Sequence, residues 1–286
     1  NQFGLNTVFE PNDPSHTIVD LVFVHGLGRW LPDDSDFEGV RIHSFGYNAD
    51  WRSLKPSPLD VHAFGESLVE ELVNHPRLNS QDTSIVLVGH SMGGLVIKKA
   101  CILSKTNPDF APLGKRLRSF YFLGTPHRGS NLASTLKNIL RALGTEQRYV
   151  TGLEKQSELI RALNDQFRIH YKGIEIHTFY ETKPTRSLGL VVDQESATLG
   201  YMEERPQLLN ASHRELVKFE DQRDSNYRSL RNRLANTITK IRADRIGAVS
   251  PGPSARPPTL PVDRKPALTE SDIAGRFEYN STFKPF

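Results

Sequence analysis

A chain of 286 residues, 37% hydrophobic and 24% charged, can bury the core of one large domain. Its net charge of +3 is too small at this length to direct it to nucleic acid or an anionic membrane. A single cysteine, Cys101, excludes a disulfide framework and a cysteine-built metal site, and it points to a reducing, cytoplasmic compartment.

The first strong element is a nearly continuous apolar run over residues 17–24, which ends at His25-Gly26-Leu27-Gly28. Continuous apolarity marks a strand covered on both faces, as in a parallel sheet. Similar runs over 40–45, 84–88, 120–123, 174–179 and 188–192 predict further strands. Helical spacing predicts helices over 59–75, 95–103 and 157–171, and a last one over 225–245 with Tyr227, Leu230, Leu234, Ile238 and Ile241 on one stripe. Strands alternating with helices predict an α/β fold, with a mostly parallel central sheet and helices on both faces. Residues 1–247 form the expected domain. Residues 248–286 read as a Pro/Ser-rich linker and tail. No signal pattern and no apolar run of ~20 residues stands out, so no membrane span is expected.

The chemistry concentrates at Gly89-His90-Ser91-Met92-Gly93, set between a buried strand and a helix. Two glycines let strand and helix approach closely, so that Ser91 occupies a strained turn with its hydroxyl above the sheet. The helix N-terminus then offers the Met92 N–H to a developing oxyanion, and Leu27 in the HGLG loop is the natural second donor. A general base belongs late in the chain. His213 is the only histidine after His177, and it precedes a helix start in a polar loop. The acid is expected at Glu181, just after the 174–179 run, with Asp193 as the alternative. Tyr47, Trp51, His127 and Arg128 are candidate substrate contacts, each with a plain structural reading as core or turn. No metal or organic cofactor is required.

Taken in order, HGLG, Arg41 to Tyr47, GHSMGG, LGTPHRGS, Phe179-Tyr180-Glu181-Thr182, Val192 to Ala197 and Asn210 to His213 resemble one family. It is the serine-active-site-containing, lipase-like α/β hydrolases, and within it the hydrolase domain at the N-terminus of fungal NOD-like receptors. The resemblance covers roughly residues 5–245. It implies an esterase acting on a small-molecule or lipid ester, with NACHT or repeat domains following in a longer chain. Two other roles share these residues: an acyltransferase, and a weakly catalytic signalling module. Only residues 29–39 separate HGLG from the next strand, where the family has a longer insertion.

Overall fold

The computed structural model describes residues 3–24, 31, 34–47, 60–78, 82–129, 131–142, 153–185 and 188–249. Seven strands form one sheet: β1 Gly4–Phe9, β2 Val19–Val24, β3 Val40–Gly46, β4 Ser84–His90, β5 Leu117–Leu123, β6 Glu175–Glu181 and β7 Glu204–Leu209. Their order is β1-β3-β2-β4-β5-β6-β7, parallel throughout except for β1, which runs antiparallel to β3. The helices are α1 Val61–Asn74, α2 Met92–Thr106, α3 Ala111–Arg116, α4 Leu132–Ala142, α5 Leu153–His170, α6 Gln194–Ala197 and α7 Ser225–Val249.

The unbroken apolarity of the inner strands has a direct cause. Val22 and Val24 face a core shared with Leu68, Leu95, Leu136 and Leu163 from α1, α2, α4 and α5. Leu21 and Phe23, one residue out of phase, face a second core closed by Leu230, Leu234, Ile238 and Ile241 of α7. Alternate side chains on a strand point to opposite faces, so covering both faces demands apolar residues at nearly every position. Each fully buried Leu or Phe contributes about 1.5–3 kcal/mol before the entropy of ordering is subtracted. This is the α/β-hydrolase fold, with helices on both faces of a mostly parallel sheet.

One expected strand is absent. Residues 188–192 form a turn in which Val191 and Val192 are buried, and the last strand is instead β7. Its sequence, Glu-Arg-Pro-Gln-Leu-Leu, lies at the edge of the sheet, with no strand on its other flank among the described residues. Charges and a proline are tolerated there, and they hid the strand from a search for apolar runs. The proposed linker and tail lie outside the described residues.

Candidate active site

Ser91 stands between β4 and α2 with φ 54° and ψ −123°, the only non-glycine at positive φ among the described residues. Such a conformation costs about 1–3 kcal/mol and survives only where its surroundings enforce it. The enforcement is visible. The Ser91 N–H donates to Leu123 O at 2.8 Å, and neither neighbouring glycine can carry a side chain. A Cβ on Gly89 would lie 2.7 Å from Gly94 N, and one on Gly93 2.8 Å from Val24 O. Met92 opens α2, so its N–H has no acceptor within the helix.

His213 follows β7 and comes back over the sheet's carboxyl edge. Its Nε2 lies 3.0 Å from Ser91 Oγ. Its Nδ1 lies 3.3 Å from Oε2 of Glu181, the last residue of β6, but the two are not aligned as a hydrogen bond. The other carboxylate oxygen, Oε1, accepts from the Val192 N–H at 2.7 Å. Ser91, His213 and Glu181 are 4%, 0% and 1% exposed, so water does little to screen their mutual interactions. His90 donates from Nε2 to the His213 carbonyl at 2.9 Å, which ties the backbone of the imidazole to the elbow. Gly124 presses the loop after β5 against the same ring: a Cβ there would meet His213 Nδ1 at 3.1 Å.

Asp193 is engaged elsewhere. It is the N-cap of α6, where its Oδ1 accepts from the Ser196 N–H at 2.7 Å. The residues expected to touch substrate make contacts within the domain. His127 is 2% exposed and packs edge-to-face on Phe122, 4.8 Å between centroids. Burial, followed by the nearby Lys98 and Arg128 charges, holds its pKa well below the usual histidine value, which keeps it neutral. Arg128 bonds Glu195 O and Thr198 Oγ1, and so clamps the turn that begins at Asp193. Tyr47 stacks on Phe64 of α1 at 4.1 Å and packs against the core. Leu27 and Trp51 lie outside the described residues. Among those residues, no three His, Cys, Asp or Glu side chains are grouped to hold a metal ion.

Sequence reasoning missed two participants in this neighbourhood. Lys98 is fully buried on α2, seven residues after Ser91, and Thr125 is fully buried against Gly94. A lysine within the apolar stretch Leu95 to Ile102 was the available signal for the first.

The family model described as the alpha/beta hydrolase family matches residues 21–263. Protein SERAC1 of Homo sapiens is 33% identical over 181 residues, covering 60% of this chain and 27% of that protein. Protein SERAC1 of Danio rerio is 29% identical over 223 residues, covering 64% and 34% respectively. The chain thus spans only about a quarter to a third of the length of these relatives. Among solved structures, a lipase-esterase related protein from Clostridium acetobutylicum aligns with TM-score 0.48 and 16% identity, over 83% of this chain and 100% of its own. YbtT, a type II thioesterase from a yersiniabactin biosynthetic pathway, aligns with TM-score 0.49 and 13% identity, over 83% and 98%.

Proposed function

We propose that this chain, which belongs to the alpha/beta hydrolase family, is a serine hydrolase that cleaves a carboxylic ester through Ser91, His213 and Glu181. The observation that carries the reading is the 3.0 Å approach of His213 Nε2 to the hydroxyl of a serine held at positive φ. In the first step Ser91 Oγ bonds to the ester carbonyl carbon while His213 Nε2 takes its proton. The carbonyl oxygen becomes an oxyanion, and the Met92 and Leu27 N–H groups donate to it. Each such donor is worth roughly 3–4 kcal/mol in a well-studied protease. The Glu181 carboxylate stabilises the imidazolium. Its poorly aligned 3.3 Å contact is of the kind that tightens once substrate is bound. The tetrahedral species collapses, the alkoxide leaves with the proton from His213, and an acyl-Ser91 ester remains. Water then attacks that ester with His213 again as base, which releases the acid and restores the serine.

The motif order supports a finer reading: the N-terminal, cytoplasmic hydrolase module of a fungal NOD-like receptor, acting on a small-molecule or lipid ester, with NACHT or repeat segments after it. An acyltransferase would use the same three residues with an alcohol in place of water. A low-turnover signalling module would keep the fold and lose the chemistry. The test is fluorophosphonate labelling with an ester panel of varied acyl length, Ser91→Ala serving as blank. Labelling and turnover confined to the wild type are expected. A folded wild-type chain that neither labels nor turns over an ester would overturn the reading in favour of the signalling module. Acyl transfer to an added alcohol that outruns hydrolysis would favour the transferase.

A further inference from the structure

Lys98 is 0% exposed, on the face of α2 that packs against α5. Leucine or methionine would fill that volume without the cost of desolvating an ammonium group. What the amine adds is a single directed contact. Its Nζ donates to Asn164 Oδ1 of α5 at 2.6 Å, while it hangs over the rings of Phe122 and Phe167 at 5.6 and 5.2 Å from their centroids. The other arm of the same amide, Asn164 Nδ2, donates to the carbonyl of His127. A continuous chain of contacts therefore runs from the helix behind Ser91 to the loop after β5.

That loop is wedged against the site at its other end. Gly124 lies on the His213 ring, and Thr125 packs so closely on α2 that a Cβ on Gly94 would overlap its hydroxyl. Within residues 124–127 the side chains add no hydrogen bond: Thr125 Oγ1 and both His127 ring nitrogens are buried without hydrogen-bond partners. Its backbone is tied at the Gly124 end by the Gly124 N–H to Phe179 O at 2.8 Å, and at the His127 end by the His127 N–H to Ser196 O at 2.7 Å and the Asn164 amide to His127 O.

We propose that Lys98 is a positioning residue which, through Asn164, fixes residues 124–127 as the wall that holds the His213 imidazole within reach of Ser91. This rests on the serine-hydrolase reading above. A slack wall lets the imidazole drift from the nucleophile, and displacements of ~1 Å are worth about 100-fold in rate. A wall that acts only by positioning the imidazole lowers kcat and leaves KM unchanged.

The experiment compares Lys98→Met, Asn164→Leu and the double variant with wild type in ester turnover, with Tm measured on each. Each single substitution is expected to lower kcat about 10- to 100-fold with KM within about twofold. The double variant should be no worse than the poorer single, because the two side chains act in series. Wild-type kcat in Lys98→Met, losses that multiply in the double variant, or a raised KM with kcat intact would each overturn the proposal. Should Lys98→Met not fold, Asn164→Asp decides. Its carboxylate still accepts from Lys98 but cannot donate to His127 O, so a fall in kcat supports the wall and unchanged kcat refutes it. A wild type that fails to label, or Ser91→Ala that keeps activity, would instead mark failure of the hydrolase reading itself.

Discussion

The two edges of the sheet each bury charge, and they treat it differently. At the amino edge, Asp20, the second residue of β2, has its carboxylate fully enclosed and both oxygens engaged. Oδ1 accepts from Arg41 Nε at 2.8 Å and His43 Nε2 at 3.1 Å, and Oδ2 from Thr83 Oγ1 at 2.6 Å and Arg116 at 3.2 Å. Burial alone would raise this carboxyl's pKa, yet the hydrogen bonds from His43, Arg41 and Thr83, with the Arg41 charge, bring it below its ordinary value. At the carboxyl edge, Glu181 Oε2 and His213 Nδ1 face each other at 3.3 Å without an aligned bond. The Asp20 carboxylate has both oxygens hydrogen-bonded, although Arg41 Nη2 beside it is not. Glu181, by contrast, keeps Oε2 without an aligned bond, capacity that the proposed reaction would use as charge develops on the imidazole.

Substitutions at each edge can break that contrast. The largest effect is expected from Ser91→Ala: loss of labelling and at least about 10⁴-fold in ester turnover, with Tm nearly unchanged. Glu181→Gln should follow with a loss of roughly 10²–10⁴-fold in kcat and little change in stability. Turnover near wild type in either variant would contradict the roles assigned at the carboxyl edge. Asp20→Asn should do the reverse. It leaves Arg41 and Arg116 buried without their counter-charge, which costs about 3–5 kcal/mol in denaturant titration, while kcat of the folded fraction stays near wild type. An unchanged Tm would show that the amino-edge network is energetically idle.

Acid should probe a third buried group. His177 stacks on Tyr121 at 4.4 Å, and burial pushes its pKa down to about 4, against a weaker upward pull from Glu175. The folded chain therefore binds this proton less readily than the unfolded chain, whose histidine titrates near 6.5. Stability from this residue is complete above that value and is lost as pH falls from there through 4, by roughly 3 kcal/mol in all. Denaturant midpoints measured from pH 7 to 4 should show this fall, and His177→Phe should flatten it. An equally steep fall in that variant would assign it elsewhere.

Two smaller effects sharpen the picture. Asp193→Asn weakens the cap of α6 and should cost about 1 kcal/mol or less, with kcat close to wild type. A collapse of kcat there, with Glu181→Gln still active, would exchange the roles of the two carboxylates. A chain ending at Gly247 should melt as cooperatively as the full-length protein, as expected if the domain closes there. Loss of soluble protein on that truncation would contradict the boundary.

The sequence by itself determined whatever depends on near neighbours in the chain. The elbow at Ser91 was legible because a buried strand, two glycines and a helix start lie within ten residues, and local sterics leave that turn few conformations. The parallel character of the sheet was legible because strands covered on both faces must be apolar throughout. Only the tertiary structure decided what depends on distant segments meeting. Chain order singled out His213, but its 3.0 Å approach to Ser91 spans 122 residues of sequence. Glu181 and Asp193 both end apolar runs, and what separates them is that one faces an imidazole while the other caps a helix. The strand β7 escaped notice because an edge needs little apolar surface. Neither Asp20, within an apolar strand, nor Lys98, on a buried helix face, is singled out by the sequence pattern. The partners of these two buried groups lie 21 to 96 residues away, and no local pattern records them.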